Sequence, residues 1–449
     1  MNAPNRDPSL RTVRGPTDAA FAAAGKAGIA AVMTFLMAAG QAWGQAVAPA
    51  VAPAAPPSRP LVIQHANIID GVADTVLRDA AVIVRGGRIE RIVRGAVDIP
   101  ADAQVIDAAG GYLLPGLIDA HAHIETLAGA QRALESGVTT VRSASVSGFQ
   151  DVALRELVRS GAIAGPDVLA AGLYVTPDLG ESILADPRLA PLSSGVTTPE
   201  QLRLLVRINL DHGVDVIKTR GTARAGLPDT DPRQQVYTEA QLRVIVEEAA
   251  TRGVPVMAHA HGDEGARAAV LAGVRSIEHG TYLSDSTLRL MKARGTFFVP
   301  TISTMAALLT DDNTVLRLRG PHMVPRLTSA VRRAHALGIP IVTGSDNDYA
   351  PRRAERIAEE VARLVDAGLT PMEAIRAATT VAARLLRIDD RTGAVRVGLE
   401  ADLIVVPDDP LADVRTLQDV LVVVSNGRVA LDRLPFARTP GSATPRARP

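Results

Sequence analysis

Two histidines one residue apart close an apolar run: Pro115-Gly116-Leu117-Ile118-Asp119-Ala120-His121-Ala122-His123. In a strand the side-chain period is two, so His121 and His123 leave on one face and can grip one metal ion through neutral ring nitrogens. Further along, strand-like runs end in Val216-Ile217-Lys218-Thr219, Ala258-His259-Ala260-His261, Ile277-Glu278-His279-Gly280 and Thr343-Gly344-Ser345-Asp346. Five of the nine histidines thus fall at strand ends, far more than chance scatter would place there. Imidazole and carboxylate together suit a borderline-soft divalent ion, with zinc the first candidate. Asp346 can coordinate and also take a proton from a metal-bound water whose pKa falls towards ~7. Lys218 has two readings. It is an ordinary strand-end lysine reaching solvent or pairing with Asp215, or it is carbamylated by carbon dioxide into an anionic ligand.

The elements that must position these residues alternate strand with helix. Strands are predicted over 117–122, 138–143, 167–173, 214–219, 254–260, 274–278, 296–301 and 339–344. Helices follow, as in Glu239 to Arg252, where Leu242, Ile245, Val246 and Ala249 recur at helical spacing, and in Glu264 to Ala272 and Ser329 to Leu337. Eight such units over about 270 residues predict an α/β fold of the (β/α)8 TIM-barrel type, whose chemistry sits at the C-terminal strand ends. A doubly wound open sheet is the alternative, but it calls for a Gly-rich phosphate turn, and the sequence has no GxGxxG or P-loop. Short strands in 60–114, such as Leu61 to His65, Ala80 to Val84 and Gly87 to Val93, find counterparts in Ala401 to Val406 and Val420 to Val429. Neither set alone makes a stable sheet, so 60–114 and 390–432 are expected to pair into a small composite β-sandwich around a barrel of 115–389.

The chain has 449 residues, 47% of them apolar, and 48 basic against 48 acidic side chains. That balance points to no nucleic-acid partner and no polybasic membrane surface. Cysteine is absent, which excludes disulfides, thiolate ligands and cysteine nucleophiles. Ala27 to Gly40 is an apolar run too short for a comfortable span, followed by Ala42-Trp43-Gly44 with small residues suited to cleavage before Gln45. Residues 1–44 therefore read as a signal peptide, which places the protein in the periplasm or outside the cell, with no membrane attachment after leader cleavage. Residues 45–59 read as a flexible lead and 433–449 as a disordered tail.

The combination of Pro115 to His123, Gly137-Val138-Thr139-Thr140-Val141-Arg142, Ile217-Lys218, Ala258-His259-Ala260-His261-Gly262, Ile277 to Gly280 and Gly344-Ser345-Asp346 resembles the amidohydrolase superfamily. Within it the chain is similar to the imidazolonepropionase-like branch that includes Xaa-Pro dipeptidases, over residues 60 to 432. The resemblance implies the barrel with its composite β-sandwich, two divalent metal ions, and a homo-oligomer. It implies one metal on His121, His123 and Asp346, the other on His259 and His279, and a carbamylated Lys218 bridging them. His261 faces the same way as His259 and would touch substrate, stand in as a ligand, or support one by hydrogen bonding. Tyr282 could meet a substrate carboxylate, and Arg220 or Arg224 an anionic group. His65, His212, His322 and His335 lie away from the strand ends. Three departures from the family fall in loops: Ser143 after Arg142, Tyr174-Val175-Thr176-Pro177-Asp178-Leu179-Gly180 in place of a Gly-Gly-His segment, and Thr219-Arg220-Gly221-Thr222 in place of Thr-Gly-Gly. They bear on substrate rather than on chemistry.

The expected activity is hydrolysis of a small-molecule amide by metal-activated hydroxide, with Asp346 as proton carrier. Dipeptides such as Xaa-Pro, Xaa-Arg or Xaa-Lys, or N-acyl amino acids, are the expected substrates. The rivals are an imidazolonepropionase-type ring hydrolase, a hydrolase of carbamates, esters or mycotoxin-type xenobiotics, and a non-catalytic metal or ligand-binding protein.

Overall fold

The computed structural model describes residues 59–351 and 356–434. The expected signal peptide, the lead apart from Arg59, and the tail beyond Leu434 lie outside the described residues. The β-branched runs near the start form β1 (Leu61–Ile68), β2 (Leu77–Arg85), β3 (Arg88–Arg94), β4 (Gln104–Asp107) and β5 (Tyr112–Pro115). Near the end they form β13 (Leu403–Val406), β14 (Val422–Ser425) and β15 (Arg428–Asp432). All eight enter one sheet in the order β15-β14-β13-β5-β1-β2-β3, with β4 paired to β1. The sequence ends meet where β5 pairs antiparallel with β13, Leu113 opposite Val405. Ile63, Val82, Leu403 and Val422 pack together on the apolar face of this sheet.

Between these strands run β6 (Leu117–Ala122), β7 (Val138–Ser143), β8 (Asp167–Leu169), β9 (Ile217–Arg220), β10 (Val256–Ala260), β11 (Ser276–His279) and β12 (Phe297–Val299). They form two parallel sheets, β6-β7-β8 and β9-β10-β11-β12. The intervening helices include α1 (Leu127–Glu135), α2 (Gln150–Arg159), α3 (Pro199–Asp211), α4 (Glu239–Ala250), α5 (Asp263–Ala272), α6 (Asp285–Arg294), α7 (Ile302–Ala307), α8 (Thr314–Ala336) and α9 (Ile357–Asp366). Thr198 and Thr238 start α3 and α4 with capping boxes, each hydroxyl on the backbone N–H of the glutamine three residues on. Leu242, Ile245 and Ala249 of α4 are buried as their spacing predicts. The fold is α/β, as expected. No helix among the described residues is long and apolar enough to cross a membrane.

Several predicted strands are shorter than the apolar runs suggest, among them 296–301, which is a strand only over Phe297–Val299, and two depart most. Beyond Leu169 the amides of Ala170, Ala171 and Gly172 donate to Asp215 and Asp151 carboxylates, not to a ladder, and Gly172 turns away at φ +61°. Over 339–344 there is no ladder, only a bridge between Ile341 and Phe298. Its amides and carbonyls still join both neighbours: Val342 donates to Phe298 (2.9 Å) and Ala120 donates to Thr343 (3.1 Å). Isolated parallel bridges also link Val175 to Thr219 and Ala122 to Asn347.

Candidate active site

The C-terminal ends of β6, β9, β10 and β11, with the turn at Asp346, border a cavity of about 430 Å³. It is lined by His121, His123, Lys218, His259, His261, His279 and Asp346. Every proposed metal ligand is therefore brought to one place. Two donor groups stand out: His121, His123 and Asp346, and His259, His261 and His279, the candidate atoms of each lying within 4.8 Å of one another. The groups adjoin, with the His121 and His279 ring centroids 5.0 Å apart.

Each ring is held by one nitrogen. His121 donates Nδ1–H to Glu278 Oε2 (2.7 Å), and His123 donates Nδ1–H to the Ser145 carbonyl (2.8 Å). His259 donates Nε2–H to the Ala223 carbonyl (3.0 Å). His261 Nδ1 meets Thr281 Oγ1 (2.9 Å) and His279 Nδ1 meets Thr301 Oγ1 (2.7 Å). The opposite nitrogen is left to serve as a donor atom, the usual way that outer partners fix the orientation of ligating imidazoles. Burial pushes His259 and His279 well below their ordinary pKa and His261 down to about 3, so all three are neutral and carry a lone pair at pH 7. Asp346 Oδ1 lies 3.2 Å from His121 Nε2 and 3.1 Å from His123 Nε2. Burial raises its pKa, but the surrounding histidines outweigh that and hold the carboxyl well below the ordinary range. An imidazole and carboxylate donor set with no thiolate fits a divalent ion of the zinc class.

Lys218 is buried beneath these rings, its Nζ 3.1 Å from His121 Nε2. The solvent and Asp215 reading of this lysine is wrong: Asp215 accepts from Arg155 (2.5 Å) instead. Burial brings the Lys218 ammonium down to about 8.

Three supporting residues were given no role from the sequence. Arg142 is buried and donates to Glu278 (3.0 Å) and to the Ala120 carbonyl (2.6 Å), so Glu278 links Arg142 to His121. Burial raises the Glu278 carboxyl, yet Arg142 and His121 hold it down at about 2. Asp119 accepts from the His121 and Ser345 amides and from the Ser345 and Tyr349 hydroxyls, tying β6 to the Asp346 turn. Strand alternation would send Glu278 and His279 to opposite faces. His279 at φ +74° breaks the alternation, as Asp346 at +51° does in its turn. A sequence carries little signal for either.

Arg220 and Arg224 flank a second cavity of about 610 Å³ that shares His123, Glu125, Tyr174 and Arg224 with the first. Both guanidiniums lie over the Tyr174 ring, at 4.8 and 5.6 Å from its centroid. Tyr282, expected at the substrate, does not line this cavity but a separate one with Arg326 and Arg333, beyond the left-handed residue Gly280 (φ +62°). His65, His212 and His335 pair with Asp107, Asp186 and Glu373, and His322 lies 6.1 Å from Tyr282, all away from the site.

Residues 112–430 match the Amidohydrolase family, and the chain belongs to it. It is a hydrolase of that superfamily. It is 28% identical to the ochratoxinase of Aspergillus niger over 76% of this chain and 80% of that one. It is 29% identical to the imidazolonepropionase of Polaromonas sp. over 80% of this chain and 91% of that one. A Xaa-Pro dipeptidase with methionine bound in its active site superposes with a TM-score of 0.75 at 29% identity, over 82% of this chain and 99% of that one. These relatives bear out the branch inferred from the motifs.

Proposed function

We propose that this protein is a metal-dependent amidohydrolase that cleaves the amide of a dipeptide or an N-acyl amino acid. The observation that carries the reading is the convergence of five oriented imidazoles, Asp346 and the buried Lys218 on one cavity. In this reading His121, His123 and Asp346 hold one divalent ion and His259 and His279 a second, with His261 beside them as a further donor. The ions would supply Lewis acidity, polarising a carbonyl and acidifying water. Lys218 supports a bridging role. An ammonium 3.1 Å from His121 Nε2 competes for that lone pair, whereas an amine titrating at about 8 is partly neutral at pH 7. Its Nζ can then attack carbon dioxide, forming an N–C bond and losing a proton to leave an anionic carbamate.

Asp346 is the proton carrier. It takes a proton from water as the new C–O bond forms, and returns it to the amine nitrogen as the C–N bond breaks. Arg220 and Arg224, stacked on Tyr174 at the junction of the cavities, have no carboxylate partner among the described residues and suit the free carboxylate of such substrates. The similarity to an ochratoxinase and a Xaa-Pro dipeptidase supports amide substrates of this kind. The same reading takes the two parallel sheets, with their bridges, as a (β/α)8 barrel, and the eight-stranded sheet as the composite β-sandwich domain. The apolar run Ala27 to Gly40 supports export from the cytoplasm.

The test is a turnover screen of leaderless protein on Xaa-Pro, Xaa-Arg, Xaa-Lys and N-acyl-Phe compounds, with released amines read by mass spectrometry. Release is expected from at least one group, and Asp346→Asn should lower kcat on the order of 10²–10⁴-fold. Silence on every linear amide, with hydrolysis of a cyclic amide, carbamate or ester, would replace the substrate assignment.

A further inference from the structure

After β9 the chain makes a hairpin-like excursion whose base is closed by the Thr222–Gln235 bridge and by Ala223 N–H donating to Gln234 (2.9 Å). Its base supplies the Ala223 carbonyl that holds His259, and the next residues, Arg224, Ala225 and Gly226, lie on the cavity wall. Thr304, Met305 and Leu308, from α7 and the turn after it, also line the cavity. That turn packs on α8, where a Cβ on Gly320 would lie 2.8 Å from the Leu309 nitrogen.

One side chain joins α8 to the loop. From α8, half-buried Arg319 donates to the carbonyls of Ala225 (2.6 Å), Leu227 (2.6 Å), Pro228 (3.1 Å) and Thr230. It has no carboxylate partner within ion-pair distance among the described residues. A guanidinium presents five N–H donors in a rigid fork, and here that fork is spent on the tip of a single loop. Within the loop itself the Thr230 hydroxyl reaches the Leu227 (2.9 Å) and Arg224 carbonyls, and Arg233 pairs with Asp231 (2.9 Å).

We infer that Arg319 is a positioning residue that straps the 221–236 loop to α8, sets the width of the cavity mouth, and thereby makes Arg224 selective for carboxylate-bearing substrates. The selectivity part rests on the proposed amide hydrolysis; the strap does not. Arg319→Met loses all four bonds. Arg319→Lys keeps the charge but cannot span four carbonyls arranged for a planar fork.

The experiment pairs limited trypsin digestion of the folded full chain, with cuts after Arg224 and Arg233 mapped by mass spectrometry, with kinetics on an N-acyl-Phe and its C-terminal carboxamide. In Arg319→Met, cleavage of the loop accelerates, and KM for the acid rises by about tenfold or more while KM for the carboxamide and kcat hold. Arg319→Lys falls between. If Arg319→Met does not fold, Arg319→Lys decides, since its loop must still be cut faster than the parent's. Unchanged loop cleavage overturns the strap, and equal losses on acid and carboxamide overturn the selectivity. Absence of any amide turnover would remove the proposed function while the digestion still judges the strap.

Discussion

The two donor groups share one cavity but differ in what stands behind them. His121, His123 and Asp346 contain a carboxylate, and a second one, Glu278, sits behind His121 in a buried ion pair with Arg142. His123 and Asp346 are also part-exposed, at 33% and 18%. The other group is all imidazole, buried throughout, and supported only by neutral oxygens of Ala223, Thr281 and Thr301. An ion held as proposed would meet the Asp346 carboxylate on one side, with Glu278 behind it offset by Arg142, and no carboxylate on the other. In the proposed reading the second position gains charge balance from Lys218, whose Nζ lies 3.1 Å from His121 Nε2, once that lysine is an anionic carbamate. The proposed carbamate would account for a lysine at a place where an ammonium repels a cation.

The sharpest way to break this comparison is Lys218→Ala. The all-imidazole group should lose its ion while the carboxylate group keeps one, so metal content falls from about two ions per chain to about one, with turnover largely lost. Elemental analysis of the purified variant, beside a circular-dichroism melt showing an intact fold, reads both effects. Two ions retained would mean that the imidazole group needs no bridging anion.

The next effect comes from exchanging the outer partners. Glu278→Gln strands the buried Arg142 charge, so it should cost about 3–5 kcal/mol of stability and weaken metal at His121 about 10–100-fold. Thr301→Val, at the neutral group, should weaken metal comparably through His279 but cost only about 1–3 kcal/mol. Denaturant titration with metal titration separates the two. Equal stability losses would show that the Arg142–Glu278 pair is not the stronger support.

How much of this the sequence foretold follows from the same contrast. His121 with His123, and His259 with His261, were legible because strand alternation alone puts each pair on one face. Lys218 and Asp346 were legible as strand-end residues, and the relative order of the strands from the apolar runs. Illegible was the left-handed backbone at three non-glycine residues, His279, Thr301 and Asp346, although His279 and Asp346 themselves were picked out by type and place. Glu278 was hidden by its neighbour's turn, and Tyr282 was assigned to the site by proximity along a chain that bends away. Arg319 lies some ninety residues from the loop it holds, a separation that no local pattern bridges. The truncated strand after Leu169 was hidden because side-chain carboxylates, not ladder partners, take its amides.

The smallest expected effect sharpens the comparison by one layer. The neutral group has a carboxylate too, but one step further back. Glu360 of α9 accepts from the Ile302 and Ser303 amides (2.9 and 2.8 Å), fixing the backbone that follows Thr301. Unlike Glu278 it has no guanidinium beside it, and burial pushes its carboxyl up to about 7 from 4.5. A folded pKa above the unfolded one means that the protonated form favours the fold. Its stabilisation is full below about pH 4.5 and is lost as the pH rises through about 7, a swing of at most roughly 3 kcal/mol. Glu360→Gln removes the titration but faces one of the two backbone amides with a donor, so the variant should lie below the parent near pH 5 and lose little further stability up to pH 8, while the parent declines. Urea melts at both pH values measure this. Parallel pH dependences in the two proteins would mean that the two backbone amides keep Glu360 ionised, and that the two groups are supported by charge alike.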